Sequence, residues 1–304
     1  MDRLAFAAVS RNYFNMPIWI AHRLGMFAEV GLDVAIELHE GVDAVTERLR
    51  DGRVRLAYGI TEHVILDREA GGSLVIVGGN VNRLPFSFVT AKSVRTAEDL
   101  RGRTIGVSSL DAGSSSLVMK LLAARGLAYP RDYAMKAVGP ILARWELLQS
   151  GEIDAGLQGA PLDYIAAEQG YPSLFDPRRE IPDFQFTSLN VDERWAAAHP
   201  DQMERFMTAF VRAHRWFFAN REASAGIAME ETGISRAHAE RAWNEYTADT
   251  IFPPDGDASD AAIQTLIDIS TLIRALPDRK TRSASGYVDR SHLEKAWAAE
   301  AEAA

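Results

Sequence analysis

Short apolar runs of strand length alternate along this chain with stretches of helical spacing, and the whole alternation is run through twice. Residues 4–9 form an apolar run, after which Ile18, Ile20, Ala21, Leu24 and Phe27 recur every three to four positions. Residues 34–38 alternate as a second strand, Ala44, Val45 and Leu49 mark one face of a helix, and 56–60, 61–69 and 74–78 read as strand, helix and buried strand. The pattern restarts with an extended run at 85–90 and a strand at 104–107. A helix carrying Leu117, Val118, Leu121 and Leu122 follows, then 134–138, a helix over 143–148, and 153–158. Strands that alternate with helices of this length predict parallel, doubly wound sheets, and two such units predict two lobes.

A second extended run at 184–191 returns the chain towards the first unit. From Trp195 onward the character is helical, with Met203, Phe206, Phe210, Ala213 and Phe217 as one apolar stripe. The expected fold class is therefore α/β: a two-lobed clamp with a double-hinge crossover and a helical C-terminal end. Residues 1–86 plus 190–304 form lobe I, 87–189 form lobe II, and the hinges fall near 85–91 and 185–191. The cleft between such lobes is the expected ligand site.

Composition narrows the chemistry. The 304 residues suffice for two cores, and an apolar fraction of 47% with 25% charged residues fits a folded chain. A net charge of −9 with scattered acids argues against a nucleic-acid partner, which favours a basic face. There is no cysteine, which excludes thiolate nucleophiles, disulfides and sulfur-ligated metal centres. The histidines show no metal-ligand spacing, so neither a metal nor a cofactor is expected. No run approaches the roughly 18 apolar residues of a membrane span. The first residues lack the basic lead-in and apolar run of a secretion signal, which predicts a cytoplasmic chain, or a periplasmic one from which a leader has been removed.

Particular segments add a resemblance. Tyr13-Phe14-Asn15-Met16-Pro17-Ile18-Trp19-Ile20-Ala21, then Leu24-Gly25-Met26-Phe27 and Val30-Gly31-Leu32-Asp33-Val34, resemble the opening of one family of ABC-transporter substrate-binding proteins. That family serves sulfonate, taurine, nitrate and thiamine-pyrimidine uptake and has the type II periplasmic binding fold. Residues 97–107, 148–155 and Gly159-Ala160-Pro161 are similar to it as well, whereas Gly52-Arg53-Val54-Arg55 departs from its usual glycine-x-x-aspartate. The resemblance implies a binding protein that closes on a small anionic or aromatic-nitrogenous metabolite, with an ABC permease as partner. The same fold hosts cytoplasmic enzymes, including a thiamine-pyrimidine synthase, a desulfinase and decarboxylases. The alternative is accordingly an enzyme using His63, Glu62 and Arg83.

Candidate ligand contacts cluster where strands end. Tyr13, Phe14 and Asn15 follow the first strand, at the edge where open sheets bind ligands. Thr61, Glu62 and His63 follow the third, and Glu62 with His63 is a candidate acid–base pair or simply a helix start. Asn82 and Arg83 precede the first crossover, where a guanidinium would pair an oxyanion or a neighbouring acid. Ser109, Gly113, Ser114, Ser115 and Ser116 lie between strand and helix, a natural anion site or a plain helix cap. In the second lobe Trp145 is a candidate lid or core residue, and Gln158 ends a strand facing the cleft.

Overall fold

The computed structural model describes residues 1–273 and 283–302. The first sheet contains β1 (Asp2–Val9), β2 (Leu32–His39), β3 (Leu56–Ile60), β4 (Leu74–Val81) and β9 (Thr187–Asp192), in the order β2-β1-β3-β9-β4. The second contains β5 (Phe86–Thr90), β6 (Thr104–Val107), β7 (Ala134–Ala137) and β8 (Ala155–Gly159), in the order β5-β8-β6-β7. Strands linked by helices pair in parallel: β1 with β2 and β3, and β6 with β7 and β8. The strands that carry the chain between the sheets are antiparallel: β5 on β8, and β9 inserted between β3 and β4. Both sheets are thus mixed, and the returning strand completes the centre of the first.

Insertion of β9 moves the expected hinges. Residues 86–90 and 187–192 are hydrogen-bonded strands, so the links between the sheets are the shorter segments 82–85 and 181–186. Extended apolar residues look alike whether they pair in a sheet or cross between two, which is why the pattern alone set the hinges inside the strands.

The stripe read from Met203 to Phe217 lies on the helix Pro200–Ala219, and all five of its residues are buried. This helix packs against Met16–Arg23 and Ser291–Glu302, and covers the first sheet where Phe6 stacks on Phe206 at 6.1 Å. A second aromatic group joins Tyr13, Tyr246 and Phe252, with Tyr13 and Tyr246 centroids 4.7 Å apart. The first lobe's helical half is thereby fused to the loop that follows β1. Among the described residues no helix is long and apolar enough to cross a membrane.

Candidate functional site

A cavity of about 40 Å³ lies between the two sheets. Val9, Asn12, Phe14, Val42, Ile60, Phe186 and Thr187 wall it on one side, Phe86, Ser108, Pro140, Ile141 and Arg144 on the other. Val9 and Ile60 end β1 and β3, and Ser108 follows the end of β6, so the carboxyl edges of both sheets meet here. Space of this size holds about one or two waters. The lobes must part to admit a metabolite.

The loop after β1 is held by its own side chains. Ser10 has φ +46°, unusual for a residue with a side chain, and its amide donates to His39 O at 2.8 Å. Asn15 Nδ2 donates to the Ser10 carbonyl at 2.8 Å; Asn12 Nδ2 donates to Val9 O and to Ser10 Oγ, while its Oδ1 accepts from the Phe14 amide. The result is to turn Phe14 into the cavity, edge-to-face with Phe86 (5.8 Å) and Phe186 (6.2 Å). Phe14 lines the cavity. Tyr13 points the other way, into the aromatic group with Tyr246, and Asn15 supports the loop.

Arg144 is the one charged side chain in the cavity wall among the described residues, and the pattern of the sequence points instead to its neighbour Trp145. It is 2% exposed, yet it forms no ion pair among the described residues. One terminal nitrogen donates to the Leu157 carbonyl, the other to Gly139 O at 3.1 Å, and Nε has no partner. Burial alone lowers its pKa, to about 10. Its alkyl stem crosses the second sheet over Gly106 and Gly156, a register pair of β6 and β8. A methyl group on Gly156 would stand 2.5 Å from Arg144 Cδ, and one on Gly106 3.1 Å from Cγ. The two glycines therefore form the channel in which the Arg144 stem crosses the sheet. Gln158 steadies the same helix, Ile141–Ser150: its amide donates to Ile141 O at 3.0 Å and accepts from Trp145 N at 3.2 Å. Trp145 is buried and packs on Tyr171 at 4.9 Å.

The expected anion loop is already occupied by the chain itself. Gly113 N donates to Glu62 Oε2 at 2.8 Å, Ser114 N to Ser108 Oγ at 3.0 Å, and Ser108 N to Ser114 Oγ at 2.8 Å. Ser115 Oγ donates to Ala112 O, Ser109 Oγ to Asp111, and Ser116 is buried without a hydroxyl partner. Glu62 is 1% exposed, and burial raises its pKa to about 7, opposed by Ser270 and the Gly113 amide.

His63 turns towards the helix Val42–Arg50, where Nδ1 meets Thr46 Oγ1 at 2.7 Å and Nε2 lies 3.5 Å from Asp43. Burial lowers its pKa, with Asp43 opposing, which favours the neutral ring. Glu62 and His63 thus face different partners and form no acid–base pair. Thr61 Oγ1 donates to Ser188 Oγ at 3.0 Å. Asn82 fastens the first link, donating to Asp257 O and accepting from Gln185 Nε2. Arg83 is half exposed, 3.4 Å from Asp183 across the two links, and does not line the cavity.

A further set of contacts joins the two lobes. Tyr164 Oη donates to Glu245 at 2.7 Å, Arg178 lies 3.3 Å from Glu245, and the Arg241 guanidinium sits 3.8 Å above the Tyr164 ring. Asp163, buried next to them, is pushed up to about 7, first by burial and then by Glu245.

Residues 12–224 match the family described as NMT1/THI5 like. The chain belongs to that family. A 4-amino-5-hydroxymethyl-2-methylpyrimidine phosphate synthase of Saccharomyces cerevisiae is 28% identical over 169 residues, 53% of this chain and 48% of that protein. The chain thus spans about half the length of this NMT1/THI5-like relative. Two solved structures share the family chain's fold. The alkanesulfonate-binding protein SsuA from Xanthomonas axonopodis, bound to MOPS, superposes with a TM-score of 0.77 at 19% identity, covering 96% of this chain and 99% of its own. The periplasmic nitrate-binding protein NrtA from Synechocystis gives 0.81 at 14% identity, covering 100% and 89%. At these identities the likeness establishes the two-lobed, type II periplasmic binding fold.

Proposed function

We propose that this protein is a substrate-binding protein that closes on a small molecule between its lobes. The observation that carries the reading is the cavity at the carboxyl edges of both sheets, walled from both sides and linked by two short segments, 82–85 and 181–186. A ligand touching both walls stabilises the closed form by contacts the open form lacks. Solved neighbours named for alkanesulfonate and nitrate binding support the reading, and delivery to an ABC permease, with a periplasmic location, follows from it. The enzymatic alternative gains nothing from the geometry, because His63 is held by Thr46 and Arg83 lies outside the cavity.

Small-angle scattering of the full chain across a panel of anions, organic acids and pyrimidines tests this. A ligand-dependent fall in the radius of gyration, with the ligand recovered unchanged, is expected. Conversion of a bound molecule, or no change in shape with any of them, overturns it.

A further inference from the structure

We infer that the cleft selects an uncharged, apolar ring, held by phenylalanines that meet across the lobes, and that it discriminates against anions. This rests on the ligand-binding reading above and goes beyond it by fixing the charge and polarity of the cargo. The sense is opposite to that of the alkanesulfonate- and nitrate-binding neighbours.

The wall offers a ligand mainly carbon. Two helices begin at it, but with the apolar side chains of Val42 and Ile141, and the surface turned to the cavity is almost wholly apolar. The polar side chains around it are bonded within the chain. Asn12 uses its amide on Val9, Ser10 and Phe14; Thr187 Oγ1 accepts from Asn80; Ser108 Oγ exchanges hydrogen bonds with Ser114. Arg144 donates to the Leu157 and Gly139 carbonyls and its third nitrogen is fully buried, so the dipoles of the second lobe answer its charge. The helix that starts at Ser114 is closed as well, because the Glu62 carboxyl already accepts the Gly113 amide. An anion entering here would give up its water against a carbon surface, which is strongly unfavourable.

The aromatic part of the wall belongs to both lobes. Phe14 follows β1, Phe186 precedes β9, and Phe86 starts β5 in the other sheet. All three pairs stand edge-to-face: Phe14 with Phe86 at 5.8 Å, Phe14 with Phe186 at 6.2 Å, and Phe86 with Phe186 at 4.9 Å. Parting the lobes draws Phe86 away from Phe14. A flat ring entering between them makes edge-to-face contacts on both sides, so it restores what opening removes. An aminopyrimidine would bury ring nitrogens and N–H groups against the same carbon surface, and a carboxylate or sulfonate a full charge.

Isothermal titration of the full chain with toluene, methyl benzoate, benzoate, benzenesulfonate and 4-aminopyrimidine separates these cases. The first two are expected to bind at least tenfold more tightly than the other three. Methyl benzoate and benzoate share their ring, so their ratio isolates the charge. Val42→Thr, which keeps the shape of the wall and adds a hydroxyl to it, is expected to weaken toluene at least threefold. If Val42→Thr fails to fold, the ratio of methyl benzoate to benzoate on the unaltered chain is the test by itself. Benzoate, benzenesulfonate or the pyrimidine as tight as the uncharged pair, or toluene held equally well by Val42→Thr, overturns the inference and leaves the binding reading standing. No binding by any of the five also overturns the inference. Weak ligands still close the lobes at saturating concentration, so the scattering panel decides the reading separately.

Discussion

Glu62 Oε2 accepts the Gly113 amide proton at 2.8 Å, so a carboxyl group at the start of one lobe's helix caps the first turn of a helix in the other. The contact does inside the protein what an anion does at any helix N-terminus. It crosses the cleft, so it exists only while the lobes are together.

Its titration gives the first prediction. Glu62 has a raised pKa of about 7 in the closed form, whereas the parted or unfolded form returns it to the ordinary carboxylate value. The closed form therefore holds more protons. Its stability is full below the ordinary carboxylate range and falls as pH rises towards 7, by on the order of 3 kcal/mol for a shift of this size. Asp163, also raised to about 7, adds a slope of the same sign. Denaturant unfolding between pH 4.5 and 8 should show the decline. Glu62→Gln, which keeps an acceptor for Gly113, should remove its share and leave that of Asp163; an unchanged slope would refute the assignment.

Gly113 itself is expected to tolerate no side chain. Its φ is +72°, and a methyl group there would sit 2.5 Å from Ser108 Oγ. Gly113→Ala should cost about 1–3 kcal/mol, from strain of this kind, and should break the Glu62 contact. A melting curve matching the unaltered chain counts against it.

Gly156→Ala should press a methyl group against Arg144 Cδ. Overpacking of this sort costs about 1–3 kcal/mol. The loss should shrink when Arg144→Ala is introduced as well, because the clash is with that side chain. Chemical denaturation of the two single variants and the pair gives the coupling, and simple additivity would contradict the channel.

Tyr164→Phe removes the hydroxyl that donates to Glu245 across the lobes at 2.7 Å. A bond to a charged acceptor contributes roughly 1.5–3 kcal/mol. The variant should shift the unliganded protein towards the parted form, read as a larger radius of gyration with helix content unchanged by circular dichroism.

The order of strands and helices was legible because burial imposes its period on the residues themselves, as in Leu4 to Val9 and in the stripe from Met203 to Phe217. Pairing was not: nothing in Thr187 to Asp192 says that it inserts between β3 and β4 rather than bridging two lobes. Phe14 could be placed in the cleft from its position after β1. Arg144 could not, since an arginine beside a tryptophan on a short helix looks like a solvated residue with a snorkelling stem. The available signal was elsewhere, in glycines interrupting two strands, Thr104–Val107 and Ala155–Gly159. Ser114 to Ser116 drew attention as donors, but the acid that claims Gly113 stands 51 residues away, a relationship that only the folded chain displays.

The paired glycines of β6 and β8 have a consequence for how this protein can diverge. The course of a buried arginine through the second lobe depends on two positions without side chains, so a helix feature is written partly into the sheet. A descendant that gains a side chain at Gly156 presses on Arg144, and one that gains it at Gly106 presses on Ile153 as well as on Arg144, so the helix above the sheet must repack. Gly106, Gly156 and Arg144 should therefore change as a set.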